Sequence, residues 1–294
     1  MAISTWDEVR TAYQVARIGT VSGAAQALGV HHATVIRHID ALESQLRVKL
    51  FQRHARGYTP TEAGHDLLRV AQATDDQFAQ LAGRLRGKGE GVSGDLVVTS
   101  LDTLSNLLTP TLVEFQRINP EVTVHALHGE RVFRLEYGEA HVAIRAGNAP
   151  EDPDNVVQPL GHLEVALYAA ESYIAERGRP ESDGALASHD FVGPEDPASR
   201  APFYQWMAQE VPDVRTVLRT SDTRVMLDAV RAGAGLGFST PSNAQGLVQV
   251  MPPRDEWGVP LWLVTHVDLH RSAKVQSFLR HLKEAAAHWE GIKR

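Results

Sequence analysis

The 294-residue chain contains no cysteine. This excludes a disulfide framework, a thiolate zinc site, an iron–sulfur cluster and a cysteine nucleophile. No uninterrupted apolar run approaches the roughly 20 residues that a membrane-spanning helix needs. The stretch Met1–Arg10 has no basic patch followed by an apolar segment, so a cytoplasmic setting is the expectation. No His-Glu-x-x-His sequence occurs among the 14 histidines. His125 and His128 share a strand at odd spacing and so point to opposite faces, while His266 and His270 straddle a strand end and a loop. No metal, cofactor or catalytic residue is therefore expected. What remains is ordinary globular material, 43% hydrophobic and 22% charged, long enough for two or three domains.

The net charge of −7 hides an uneven distribution. Residues 1–60 carry seven Lys/Arg against four acids, whereas residues 94–294 carry 18 against 27. An acidic body repels a polyanion and a basic end attracts it, so any nucleic-acid contact is expected in the first 60 residues.

Those residues read as helix, turn, helix, wing. Thr5 and Glu8 have capping-box spacing, and Trp6, Val9, Tyr13 and Ala16 recur along one face of a helix running to about Arg17. After the Gly19-Thr20 break, Ser22 is placed to cap a short helix carrying Ala24, Ala25, Ala27 and Leu28, which Gly29 ends. A third helix is predicted from about His31 to Leu46, with Val35, Ile39, Leu42 and Leu46 inward and His32, Ala33, Ile36, Arg37 and His38 outward. This pattern alone fits a helix-turn-helix or a plain three-helix bundle.

Four blocks narrow that choice: Ala24-Ala25-Gln26-Ala27-Leu28-Gly29-Val30, Val35 through Glu43, Lys49-Leu50-Phe51-Gln52-Arg53 with Arg56-Gly57, and Thr61-Glu62-Ala63-Gly64. Together they resemble the winged helix-turn-helix of LysR-type transcriptional regulators. The resemblance implies sequence-specific binding to double-stranded DNA, with the helix from His31 as recognition helix and the Leu50–Tyr58 hairpin as wing. It assigns His31, His32, Ala33, Thr34, Ile36, Arg37 and His38 to the DNA face, with Arg53 and Arg56 as wing arginines on phosphate or in the minor groove. Guanidinium chemistry suits that role, because arginine forks onto phosphate oxygens. The chain departs from many relatives in having His31 and His32 where serine and glutamine are common, and Ile36 where serine is common. Ile36 offers only apolar contact, for instance to a thymine methyl.

From Glu62 to about Arg86 a long helix is predicted, about 37 Å long. Leu67, Ala71, Thr74, Phe78, Leu81 and Leu85 recur at alternating four- and three-residue steps, a stripe suited to a partner helix or to the rest of its own chain. In the family this segment is the dimeric linker helix, so Leu67, Ala71, Phe78, Leu81 and Leu85 are its expected dimerisation residues. Glycines from Gly87 to Gly94 predict a hinge.

Beyond Asp95 strands and helices alternate. Strands are predicted at Leu96–Ser100, Val122–Leu127, Val142–Arg145, Val165–Ala169, Phe191–Gly193, Val217–Ser221, Gly235–Thr240 and Pro260–His266. Helices are predicted at Leu104–Ile118, Val132–Tyr137, Asp222–Arg231 and Ser272–His288. The order implies parallel strands with helical crossovers, with ligands at their carboxyl ends. Leu96–Gly147 and Val230–Gly237 resemble the co-inducer domain of the same family, which is similar to two-lobed periplasmic binding proteins of type 2. The α/β fold class is thus an N-terminal winged helix-turn-helix, a linker helix and a two-lobed effector domain, with boundaries at 1–60, 61–93 and 94–294. Position by position, the resemblance points to Ser100, Asp102, Thr103, Gly129, Arg145, Phe203 and Ser221 as effector-binding. Arg145 is the candidate carboxylate clamp; Asp102 either caps its helix or pairs with Arg145. Relatives tend to have aspartate where His141 stands, a change expected to alter lobe or dimer contacts.

Enzyme readings find little support. Gly233-Ala234-Gly235-Leu236-Gly237 follows a helix and precedes a strand, the reverse of a phosphate-cradling loop. Gly237-Phe238-Ser239-Thr240-Pro241 lacks the second glycine of a nucleophile elbow. The expectation is a homodimeric or homotetrameric DNA-binding regulator, responding to a small-molecule effector of unassigned identity.

Overall fold

The computed structural model describes every residue except 1–4, 55–56, 86–91, 129–134, 136–138 and 294, and within the linker helix it leaves out the side chains of 73, 76–77 and 79–85. Arg56, Gly129, the side chains of Leu81 and Leu85, most of the Gly87–Gly94 hinge and most of the helix predicted at Val132–Tyr137 lie outside the described residues.

Helices α1 (Trp6–Ile18), α2 (Val21–Leu28) and α3 (His32–Leu46) form the head, followed by the hairpin β1 (Phe51–His54) and β2 (Gly57–Pro60). Gly19 and Gly29 end the first two helices in the left-handed conformation, where a missing Cβ removes the steric penalty. Two capping expectations are corrected. Thr5 makes no side-chain bond to the helix backbone and instead donates its hydroxyl to the Glu8 carboxylate at 2.9 Å. Thr20, not Ser22, caps α2, accepting from the Gly23 N–H at 3.2 Å, so the helix begins two residues earlier than predicted. Val9, Tyr13, Val35, Ile39, Leu42 and Leu50 fill the head core.

Helix α4 (Glu62–Leu85) starts against this core. Gly64 sits under the Leu50 carbonyl, where any Cβ would overlap that oxygen, which explains a glycine inside the first turn of a helix. Leu68 and Ala71 are buried in the head core and Leu67 packs on it. Phe78 is exposed and meets Trp6 edge to face at 5.9 Å. Thus Ala71 is buried against its own head and the half-buried Leu67 packs on it, contacts that a heptad-like stripe cannot distinguish from self-association.

The body begins with β3 (Gly94–Ser100), α5 (Ser105–Ile118), β4 (Val122–His128), β5 (Val142–Ala146) and β6 (Asn155–Leu163). It crosses to a second lobe with β7 (Ala166–Ala169), α6 (Glu171–Arg177), β8 (Asp190–Pro194), α7 (Pro202–Glu210), β9 (Arg215–Thr220), α8 (Thr223–Arg231), β10 (Gly237–Ser239) and β11 (Val248–Met251). It then returns through β12 (Val259–His266), α9 (Val267–His270), α10 (Ala273–Ala286) and β13 (Ile292–Lys293). The first lobe holds a six-stranded sheet in the order β13-β6-β12-β5-β3-β4. Its β3–β4 and β3–β5 pairs are parallel as predicted, but β12 runs antiparallel to both β5 and β6. In the second lobe β7 pairs antiparallel with β10 and β11, β8 pairs parallel with β9, and Phe191 bridges to Leu236. The strictly parallel expectation is therefore corrected: the chain leaves the first sheet and re-enters it, and the returning strand comes back head to tail. Asp222 caps α8 as predicted, accepting from Arg224 N–H at 2.8 Å.

Candidate functional site

The first candidate surface is the leading edge of α3. His31, His32, Ala33 and Arg37 are exposed there, and Thr34 is half-buried. Arg37 has no ion-pair or hydrogen-bond partner among the described residues. Two predicted contacts turn inward instead. His38 meets the Thr11 hydroxyl of α1 at 2.9 Å through Nδ1, and Ile36 packs against the head core. Residues two apart on a helix point about 200° apart, so Ile36 and His38 border the inward stripe of Val35, Ile39 and Leu42 from its two sides.

Beneath that edge, Glu43 ties the wing to α3. Its side chain is 2% exposed, yet four donors converge on it. Leu50 and Phe51 N–H reach Oε1 at 2.9 and 3.2 Å, and Lys49 Nζ and Arg53 reach Oε2 at 2.7 and 3.1 Å. Burial pushes its pKa up, but the bonds from Lys49, Leu50 and Phe51 outweigh that and hold the carboxyl below its ordinary range. Arg53 is the other half of this knot. It also pairs with Asp40 and lies over the Tyr58 ring at 5.4 Å. Hydrogen bonding to Asp40 raises its pKa. The predicted phosphate contact is thereby recast: Arg53 is held by two carboxylates of α3, because the hairpin folds back onto the helix it follows. The sequence pattern gives Glu43 no role of its own; its one signal is a carboxylate next to the inward-facing Leu42.

The second candidate surface is a cleft of about 730 Å³ between the lobes. The first lobe contributes Leu101, Thr103, Ala146, Gly147 and Asn148, and the second Arg200, Phe203, Tyr204, Met226 and Phe238. Of the predicted effector residues, Thr103 and Phe203 line it, while Ser100, Asp102, Arg145 and Ser221 do not. Ser100 engages His128 Nδ1 at 3.1 Å. Asp102 is exposed at the start of a short turn and makes no capping bond. Arg145 is paired across the sheet with Trp262 and shares the strand face of Ala143, which packs in a small cluster apart from the main core. Strand alternation therefore turns Arg145 away while its neighbour Ala146 reaches the cleft. Burial lowers the pKa of Arg145. Arg200, which sequence reading passed over in a loop, takes the place at the cleft that Arg145 was expected to hold.

Two asparagines stitch the lobes together beside the cleft. Asn243 donates to the Thr103 carbonyl at 2.7 Å and to the Thr240 hydroxyl at 2.9 Å. Asn106 donates to the Ser242 carbonyl at 2.7 Å. A separate seam joins α4 to the first lobe. His141 is buried, accepts from Val97 N–H at 2.9 Å and pairs through its other ring nitrogen with Gln72 at 3.1 Å. Arg69 meets His266 at 3.3 Å and Asp268 at 3.6 Å. The unusual His141 thus belongs to the contact between linker helix and body. Among the described residues no cluster of three or more potential metal ligands occurs, and no helix is long and apolar enough to cross a membrane.

The sequence matches the family described as "Bacterial regulatory helix-turn-helix protein, lysR family" over residues 6–65 and that described as "LysR substrate binding domain" over residues 89–287. It is similar to an HTH-type transcriptional repressor of Pseudomonas aeruginosa, with 27% identity over 94% of this chain and 90% of that protein. Among solved structures, full-length LysG from Corynebacterium glutamicum with bound effector Arg aligns at a TM-score of 0.69 and 18% identity, covering 99% of this chain and 100% of LysG. Full-length CbnR complexed with its target DNA aligns at a TM-score of 0.58 and 21% identity, covering 96% and 100%.

Proposed function

The chain belongs to the LysR family, and from that premise we propose that it is a cytoplasmic, non-enzymatic regulator of transcription whose grip on promoter DNA is set by a small molecule in the interlobe cleft. The observation that carries this reading is the exposed leading edge of α3, joined to a two-lobed body that carries a cavity of about 730 Å³. CbnR, a protein of like fold, is complexed with DNA, and LysG holds an effector. In our reading His31, His32, Ala33, Thr34 and Arg37 face the major groove, and Arg56 contacts DNA phosphate or the minor groove. The head is residues 1–60, the linker 61–93 and the effector domain 94–294. The exposed Trp6, Val70 and Phe78 form an apolar patch suited to a second copy, making a homodimer or a pair of dimers. Two heads then fall on half-sites spaced by about one helical turn or its multiples. An effector acts only if it binds one degree of lobe closure better than another.

Genome-wide mapping of the sites bound by the full chain tests this. Recovery of short, related sequences upstream of genes is expected; indifference to duplexes of every composition at low ionic strength would refute it.

A further inference from the structure

The cleft has an uneven chemistry. On the second lobe Phe203 lies against Tyr204 at 4.6 Å and Phe238 at 5.1 Å, and Met226 closes the wall behind them. Part of the polar lining is already engaged, while Thr103, Asn148, Gln205 and Thr223 line the cleft with no side-chain hydrogen bond among the described residues. The Tyr204 hydroxyl donates to the Met226 sulfur at 3.0 Å, and burial keeps this phenol protonated by raising its pKa. The Thr240 hydroxyl is shared between Ser242 and Asn243, and Ser239 bonds the Thr240 carbonyl. Arg200 is different. It is the only charged side chain among the described residues lining the cleft, it is exposed, and it has no hydrogen-bond or ion-pair partner among them.

These facts select among ligand classes. A neutral polyol or sugar leaves the Arg200 guanidinium without a counter-charge. A zwitterionic amino acid needs an acceptor for its ammonium, and no carboxylate lines the cleft among the described residues. A dianion needs a second cation. One guanidinium beside an aromatic wall satisfies a single carboxylate bidentately and offers the remainder of the ligand a flat apolar face.

We propose that the effector is a compact monocarboxylate with an aromatic or similarly apolar body, its carboxylate taken by Arg200 and its ring by Phe203 and Phe238. This rests on the reading of the cleft as the effector site, and it makes Arg200 the residue that selects for charge.

Calorimetric titration of the full chain with benzoate, phenylacetate and cinnamate tests it, alongside phenylacetamide, succinate, phenylalanine and glucose. At least one aromatic monocarboxylate is expected to bind. Arg200→Gln then weakens it about tenfold or more, Arg200→Lys weakens it less, and Phe203→Ala weakens it too. Phenylacetamide binding, if measurable, is unmoved by Arg200→Gln. If succinate, phenylalanine or glucose binds best and Phe203→Ala weakens that binding, the ligand class is wrong while the cleft reading stands. An aromatic monocarboxylate that binds equally well to Arg200→Gln also overturns the class. If no probe binds, or every probe ignores both substitutions, the class and the cleft reading fall together.

Discussion

The head and the cleft are built by opposite strategies. In the head, the residues that shape the DNA-facing edge lie between Val9 and Ala71, and the parts meet through helix pitch, two glycine stops and one buried carboxylate. The cleft draws on segments from Leu101 to Pro260, brought together by strands that leave the first sheet and return. The head is consequently a short-range structure, whereas the lobes around the cleft are joined by long-range contacts: one hydrophobic core that runs through both, and the hydrogen bonds of Asn106 and Asn243.

The sharpest way to separate the two is to cut the Glu43 knot. Glu43→Ala orphans the Leu50 and Phe51 amides and should cost the head about 3 kcal/mol, seen as an early transition in chemical denaturation that leaves the body's transition in place. Simultaneous loss of both transitions would show that head and body are one cooperative unit. The pH dependence has a defined sign. Because Glu43 titrates lower in the folded head than in the unfolded chain, its stabilisation is complete above the unfolded carboxyl range and fades as pH falls through the lowered folded value. Glu43→Gln should flatten that acid limb.

Gly57→Ala comes next. Gly57 has a φ of +148°, and a Cβ there would overlap the Gly19 carbonyl oxygen, the same oxygen that accepts the Tyr58 N–H at 2.9 Å. A loss of about 2 kcal/mol from the head, again by denaturation, is the expected outcome; an unchanged midpoint would remove the wing from the helix-turn-helix frame. On the other side of the comparison, Asn243→Ala should lower the body's stability by only about 1 kcal/mol and loosen the cleft, read as faster amide exchange at Thr103–Leu104 with the head unaffected. The smallest stability effect is expected for Arg53→Ala, under about 1 kcal/mol, because its pairs with Asp40 and Glu43 are partly solvated on the arginine side.

How much of this the sequence discloses follows the same divide. Three helices, their order and the wing are readable because their periodicity and punctuation are local: Val35, Ile39 and Leu42 mark one face of α3 within two turns. The caps are missed where two neighbouring hydroxyls compete, as Thr20 and Ser22 do. Arg53 is read as a phosphate contact because a basic hairpin looks the same in one dimension whether it points outward or back to Asp40. In the body, the strands of the first βαβ unit are legible, but β6 and β11 are not; Pro159 and Gly161 interrupt the former. Arg145 and Ala146 differ by strand alternation, which faces one residue of β5 into the cleft and its neighbour away, and Arg200 reaches the cleft from a loop whose position depends on the second lobe. Leu67 and Ala71 fit a partner's seam and their own head equally well in one dimension, and only the three-dimensional packing places Ala71 in the head core.

The account stands or falls on whether α3 meets DNA through its exposed leading edge. The direct measurement is the affinity of the full chain for one of its mapped duplexes, titrated by fluorescence anisotropy across a salt series, for the parent and for Arg37→Ala and Arg53→Ala. Arg37 is unpaired among the described residues and should lower affinity and reduce the slope of log affinity against log salt by about 1. Arg53, already neutralised by its carboxylates, should leave that slope essentially unchanged. Equal slopes for the parent and Arg37→Ala, with Arg53→Ala shallower than both, would contradict the assignment and return the contact to the wing.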